Sequence, residues 1–220
     1  MNITAISDMH GQLNFKVPKS DILLIAGDLC PASHNSYISI GMQRDWLDCK
    51  FRNWMNEQPV DDIIAVSGNH DWIFEIAKDE VPFFGEEGKF KYIEDELIIY
   101  KDLKIYGTPV QLPFNNWAFN REEKSLQGYW DNIPEGLDIL LLHSPPYGIM
   151  DKTGHSTYSS KRIGSKSLKK RIDEVRPKYV IFGHNHNGYG IEEIDGITYI
   201  NASLLNEQYE MVNEPIVFEI

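Results

Sequence analysis

The run Asp21-Ile22-Leu23-Leu24-Ile25-Ala26-Gly27-Asp28 constrains the fold more than any other stretch of the chain. Its unbroken apolar centre predicts a strand buried on both faces, of the kind found in sheets covered by helices. Gly27 then lets the backbone turn, and Asp28 emerges at the strand's carboxyl end. In open α/β sheets that is the side on which ligands bind. A carboxylate there is costly unless something positive meets it.

The rest of the chain repeats the pattern. Asn2 to Ser7 alternates around Ile3, Ala5 and Ile6 as a first strand, followed by Asp8-Met9-His10-Gly11. Asp62–Ser67 is another strand, breaking at Gly68-Asn69-His70-Asp71. Leu137–Leu142 runs into His143-Ser144-Pro145-Pro146, and Tyr179–Phe182 into Gly183-His184-Asn185-His186. Hairpins are predicted across Lys101-Asp102 and Asp195-Gly196, and Pro215–Ile220 supplies a last strand. Apolar residues at near-helical spacing from Tyr37 to Asn56 predict one long helix, ended by Gln58-Pro59. A short helix is expected from Trp72 to about Lys78, and a basic one within Lys161–Val175. The stretch Gly107–Trp130, rich in Pro, Asn and aromatics, reads as a long ordered loop with some helix, a type that is usually functional. No repeat, low-complexity tract or linker interrupts the chain, so residues 1–220 are expected to form a single domain.

Five strand ends therefore carry a carboxylate, imidazole or amide: Asp8/His10, Asp28, Asn69/His70, His143 and His184/His186. One such loop means little, since a strand-end His commonly caps or packs. Five on one rim of a sheet are hard to explain by packing. Carboxylate, imidazole and amide oxygen together suit Mn²⁺, Fe or Zn²⁺. The two cysteines, Cys30 and Cys49, lie off these motifs, which argues against a structural zinc site.

Asp8-x-His10, Gly27-Asp28, Gly68-Asn69-His70-Asp71, His143 and Gly183-His184-x-His186 resemble the complete signature of the calcineurin-like metallophosphoesterases, in that family's order. Trp117-Ala118-Phe119-Asn120, Trp130-Asp131-x-Ile133-Pro134, His143-Ser144-Pro145-Pro146-Tyr147-Gly148 and Ile200-Asn201-Ala202-Ser203 resemble more closely the compact metallophosphoesterase-domain branch. That branch belongs to the class III cyclic nucleotide phosphodiesterases. The resemblance implies a four-layer α/β/β/α sandwich of two mixed sheets flanked by helices, with the site at the strands' carboxyl ends. It implies two metal ions, Mn²⁺ before Fe, Zn²⁺, Ni²⁺ or Mg²⁺. One would take Asp8, His10, Asp28 and His186, and the other Asp28, Asn69, His143 and His184, with Asp28 bridging.

A bridging hydroxide between cations roughly 3.5–4 Å apart would attack phosphorus in line. The family role implied for His70 is to meet the phosphate or protonate the leaving oxygen, a general-acid task that imidazole suits. Asp71 would orient His70, or cap the helix beginning at Trp72, or both.

The substrate is less constrained. Protein phosphatases of the superfamily follow Gly-Asp with an Arg that clamps a dianionic monoester; here Leu29-Cys30-Pro31 follow, which favours a monoanionic phosphodiester. Asn69 and His70 are candidate substrate contacts, with Arg162 and Lys161 as a distant charge or simply a solvated helix start. Trp117, Phe119, Tyr147 and Tyr189 form a candidate aromatic wall for a base, with core packing the alternative. His34 and His155 are read as surface residues.

Charge excludes more than it selects. There are 21 basic against 33 acidic residues, a net −12, which disfavours broad binding to nucleic acid or anionic membrane. No apolar run approaches a membrane span, and the N-terminus lacks a signal peptide's basic start. Two cysteines suggest a reducing cytoplasm. The expectation is a cytoplasmic phosphodiesterase acting on a cyclic nucleotide or other small diester, as a monomer or homodimer. A nuclease or phosphomonoesterase of the same superfamily, or a non-catalytic scaffold of this fold, are the alternatives.

Overall fold

In the computed structural model, which describes residues 1–32, 36–82, 84, 88–154 and 161–220, two sheets lie face to face. His34 and His155 fall outside the described residues. The first sheet runs β11-β1-β2-β3-β4, with β1 Asn2–Ile6, β2 Ser20–Ala26, β3 Val60–Val66, β4 Phe90–Tyr92 and β11 Ile216–Glu219. The second runs β5-β6-β7-β8-β10-β9, with β5 Glu96–Tyr100, β6 Leu103–Thr108, β7 Ile139–Leu142, β8 Tyr179–Phe182, β9 Gly190–Ile194 and β10 Ile197–Asn201. Inner strands are parallel, whereas β11, β5 and β9 pair antiparallel at edges. Both sheets are mixed, as expected.

The β2 run shows why its sequence is apolar throughout. Ile22, Leu24 and Ala26 face the second sheet, packing in one core with Ile105, Ile139, Leu141 and Ile181. Leu23 and Ile25 face the other way, against Trp46, Phe51, Trp54 and Ile73. Those residues belong to the helical layer of α1 Ser36–Trp46, the turn Leu47–Phe51 that follows it, α2 Arg52–Glu57 and α3 Trp72–Ile76. The outer face of the second sheet is covered by α4 Glu123–Trp130 and α5 Lys166–Val175, through Leu126, Trp130, Leu168 and Ile172. The order helix, sheet, sheet, helix is the expected sandwich.

Several local expectations need correction. The Tyr37–Asn56 helix is not uniform: Leu47–Phe51 forms a π-helical turn between α1 and α2, burying Leu47 and Phe51. The basic helix α5 begins only at Lys166, capped by Ser165, whose hydroxyl accepts from the Leu168 N–H at 3.1 Å. Arg162 is therefore no helix start. It sits opposite Lys152 in an antiparallel bridge and pairs with the buried Asp151. Strand β4 had no expectation at all, because three residues are too few to show a period.

The two sheets are tied at the rim that matters. Beyond β1, the Ser7 N–H donates to the Ala202 carbonyl at 2.8 Å, and the Leu204 N–H to the Ser7 carbonyl at 3.0 Å. The carboxyl ends of β1, β2, β3, β7 and β8 thus open onto one place.

Candidate metal centre

The loops after β1 and β2 keep pairing past the strands. The Asp8 N–H donates to the Gly27 carbonyl and the His10 N–H to the Asp28 carbonyl, at 3.1 and 2.9 Å. Asp8, His10, Asp28 and His184 all take left-handed φ, between 43° and 66°. Such strain in non-glycine residues persists only where the surroundings over-determine it, and it gathers at functional sites.

Two glycines are required by close approach. A Cβ on Gly68 would run into the Asp28 carboxylate, and one on Gly183 into the Asp8 carboxylate and the Ser7 hydroxyl. The glycine in each motif lets a neighbouring strand end bring its carboxylate in.

Four of the candidate ligands are then aimed by hydrogen bonds. Asp8 accepts from the Ser203 hydroxyl at 2.7 Å and from the His184 N–H at 3.0 Å. Asp28 accepts from the His70 N–H at 2.8 Å. Nδ1 of His143 meets the Ala26 carbonyl and Nδ1 of His186 the Asn206 carbonyl, both at 2.8 Å. In each ring this turns Nε2 inward, the orientation that a carbonyl commonly imposes on a metal-binding His. His186 Nε2 stands 3.4 Å from Asp8, and His143 Nε2 is 3.4 Å from Asp28 and 3.0 Å from the Asn69 amide oxygen.

Ligand atoms of Asp8, His10 and His186 lie within 4.8 Å of one another, as do those of Asp8, Asp28 and His143, and of His10, Asp28 and His70. The His184 ring is 5.1 Å from that of His143.

Electrostatics sort these groups. Burial raises the Asp28 carboxyl, but His143, His70 and His10 outweigh it and hold it well below the usual range. Asp8 is likewise lowered against its burial, chiefly by His186. Burial lowers His143 and His186, yet Asp28 and Asp8 respectively bring both to about 9. Burial drives His10 down to about 4 and, helped by His143, His184 to about 3.

His10 is thus a neutral buried imidazole, and neither of its ring nitrogens has a hydrogen-bond partner. Such orphaned nitrogens are rare in a settled core. Beside two ionised carboxylates they fit a divalent cation.

Asp71 is placed differently from either expectation. It makes no side-chain cap on α3. Its carboxylate instead accepts from the N–H groups of Gly68, Leu29 and Cys30, at 2.7, 3.2 and 2.8 Å. Burial and the nearby Asp28 raise it to about 7. Its work is to tie the β2 and β3 loops together.

The cleft above these groups holds about 260 Å³, and Trp117, Phe114 and Tyr209 line it. Of the expected aromatic wall, Trp117 is in place, 4.0 Å ring to ring from His70. Phe119 is buried in the helical-side core. Tyr189 and Arg162 line an adjacent cavity of about 470 Å³, and Tyr147 lies under the Arg162 guanidinium at 5.4 Å. None of these three lines the metal cleft; Arg162 is bonded to Asp151, and the Tyr189 hydroxyl donates to the Glu214 carbonyl at 2.8 Å.

Sequence reasoning missed Gln43, Phe114 and Tyr209. None sits in a strand-end motif, so only tertiary contact reveals them.

Fold and site together define a metal-dependent phosphoesterase. Residues 1–188 match the calcineurin-like phosphoesterase family, and the chain belongs to it. The human and mouse proteins named metallophosphoesterase domain-containing protein 1 are each 30% identical over 239 aligned residues. The alignment covers 98% of this chain and 69% of theirs. The phosphopantetheinyl hydrolase of Mycobacterium tuberculosis shares the fold, with TM-score 0.58 at 14% identity over 94% of this chain and 90% of its own. No helix among the described residues is long and apolar enough to cross a membrane.

Proposed function

We propose that this chain, acting as one domain over residues 1–220, is a dinuclear phosphodiesterase for cyclic nucleotides or other small phosphodiesters. Asp8, His10, Asp28 and His186 would hold one ion, and Asp28, Asn69, His143 and His184 the other. Mn²⁺ is the first ion to test. When bound, such ions polarise phosphoryl oxygens and make water acidic enough to supply a nucleophile near neutral pH.

The chain's own residues do the rest. His70 lines the cleft beside Asn69 and would donate a proton to the leaving oxygen. Asp71 fixes the backbone just after Asp28, through Leu29, and that of the adjoining β3 loop, through Gly68. Trp117 and the buried Ala118 keep water from one flank, with the Ala118 N–H bonded to the Asn69 carbonyl at 3.0 Å.

One observation carries the choice of a diester. Among the described residues no Lys or Arg lines the cleft. Leu29 and Cys30, which follow Asp28, are fully buried. A monoester brings a second negative charge with no Lys or Arg among the described lining residues to meet it, whereas a diester brings one. The cysteines, Cys30 buried and Cys49 exposed without a disulfide, suit a cytoplasmic setting, and a monomer or homodimer is proposed.

The test is turnover of bis(p-nitrophenyl) phosphate against p-nitrophenyl phosphate, with Mn²⁺ and with a chelator. Metal-dependent diester turnover well above monoester supports the proposal. Monoester preference overturns it.

A further inference from the structure

The cavity beside the metal cleft joins it at Asn185, which lines both spaces. That side chain is buried and fixed, its amide donating to the Met150 and Lys152 carbonyls at 2.6 and 3.0 Å. A short antiparallel ribbon stands between the two spaces. The Ile163 N–H donates to the Asp151 carbonyl at 3.0 Å, and the Thr153 N–H to the Lys161 carbonyl at 2.9 Å. Successive residues of such a ribbon point to opposite faces. Thr153 and Ile163 accordingly line the metal cleft, whereas Lys152 and Arg162 line the second cavity, of about 470 Å³.

Those two backbone bonds also decide how Lys152 and Arg162 meet. They flank the bridged pair on either side and make it a non-hydrogen-bonded pair, the kind whose opposing side chains come closest. Like charges set directly opposite in this way repel. Asp151 relieves only one of them. It pairs with Arg162 through one oxygen, and its other oxygen accepts from the Gly148 N–H at 2.9 Å. Among the described residues Lys152 has no carboxylate partner, and Nη1 is the one Arg162 nitrogen that is hydrogen-bonded. Glu192 also lines the cavity but pairs with neither cation. Lys166 adds a third positive charge nearby, 5.0 Å from the Tyr147 ring that Arg162 also covers. In a chain of net charge −12, this is a local positive cluster with donors left unspent. An anion seated between Lys152 and Arg162 removes their repulsion.

We propose that Lys152 and Arg162 form a subsite for a second anionic group, a carboxylate or phosphate, carried on an arm of the substrate and reached from the metal cleft past Asn185. This rests on the phosphodiesterase reading above. The cleft itself offers no Lys or Arg and takes the single charge of the diester, while the neighbouring cations select which diester by what its arm ends in. Arg162, held in place by Asp151, presents the free edge of its planar fork, and Lys152 supplies a point charge beside it.

The test is calorimetry on the metal-loaded protein with probes that differ only at the end of the arm. These are 3-phosphonopropionate against propylphosphonate, and 6-phosphonohexanoate against hexylphosphonate. At one of the two lengths, wild type should bind the carboxylate at least about tenfold more tightly, the worth of a hydrogen bond to a charged group. The net charge of the chain opposes the more anionic probe, so such a preference comes from cations close by. Lys152 carries the test, because removing Arg162 strands the buried Asp151 carboxylate. Lys152→Gln should bring the ratio within about threefold of unity, and Lys152→Arg, which keeps the charge, should preserve it. Equal affinities within both pairs, a ratio that Lys152→Gln leaves intact, or no binding of any probe at millimolar concentration overturns the proposal. So does a parallel loss of both affinities in Lys152→Gln, which would make Lys152 a support of the ribbon only. Failure of the phosphodiesterase reading shows separately, as absent turnover of bis(p-nitrophenyl) phosphate with the binding ratio intact.

Discussion

The Gln43 side chain, wholly buried on α1, donates to the His70 carbonyl at 2.6 Å while its amide oxygen accepts from the Ile73 N–H at 3.0 Å. A single amide thus holds both ends of the segment that carries His70 and Asp71. Gln43→Leu leaves a buried carbonyl and a buried N–H unpartnered, which costs roughly 2–4 kcal/mol in all. Denaturant unfolding should show that loss. Diester turnover should fall about tenfold at unchanged metal content, because His70 shifts while the ligands stay. Gln43→Glu keeps the acceptor towards Ile73 but places a carboxylate against the His70 carbonyl, so it should not rescue. A rescue by Glu would place the important bond at Ile73 alone.

Asp28 touches more of the centre than any other group. It faces His10 and His143 at 3.6 and 3.4 Å, and it accepts the His70 N–H. Asp28→Ala should lower both the metal bound and the turnover, the latter by more than about 10³-fold. Elemental analysis of the purified variant gives the metal count. Retained turnover would remove Asp28 from its bridging role.

His70 separates two roles that the geometry leaves adjacent. Its ring groups with His10 and Asp28 within 4.8 Å, close enough to ligate, but it also packs under Trp117 at the cleft wall. As a proton donor, it should be replaceable by Ala with both metals retained and turnover down about 10²–10⁴-fold. Loss of metal in His70→Ala would make it a ligand instead. A leaving group of low pKa should narrow the defect, since it needs little protonation.

How much of this was legible follows from what each residue depends on. β2 could be read because burial on both faces demands an unbroken apolar run, and the rim could be read because each ligand follows a strand directly. The π turn at Leu47–Phe51 could not, since it keeps the helical apolar spacing. Phe114 and Tyr209 belong to loops whose shape depends on Asn120 and Asn206 hydrogen bonds, and no periodicity reports those. Tyr147, Tyr189 and Arg162 lie near the motifs in sequence, but Arg162 pairs with the buried Asp151, Tyr147 packs against Arg162, and the Tyr189 hydroxyl bonds the Glu214 carbonyl. Gln43 is invisible in sequence for a simpler reason: a lone Gln on a helix ordinarily faces water.

Gly183 gives a test of close approach. Gly183→Ala drives its new methyl into the Asp8 carboxylate and the Ser7 hydroxyl, and neither can retreat. Asp8 is held by Ser203, and the Ser7 hydroxyl donates to the Ala26 carbonyl at 2.8 Å. Overpacking of this kind costs about 1–3 kcal/mol. We expect that loss in thermal unfolding together with weaker metal retention on dialysis. Gly128→Ala, on α4 with open space around it, should be neutral or slightly stabilising.

Removing metal should weaken the fold without dissolving it. The ligands come from five strand ends, but the two sheets share an apolar core that contains none of them. Chelated protein should keep its far-ultraviolet dichroism. Asp8 and Asp28 also face His186 and His143, each at 3.4 Å, so the buried carboxylates have partners besides a metal ion. A divalent ion binding only the folded state at a hundred times its Kd adds about 2.7 kcal/mol. For a chain of this size that corresponds to a rise in Tm of roughly 5–10 °C. Scanning calorimetry with increasing Mn²⁺ should show this rise, and Asp28→Ala should abolish most of it. A Tm indifferent to metal in the wild type would contradict the ligand assignment, whatever the activity.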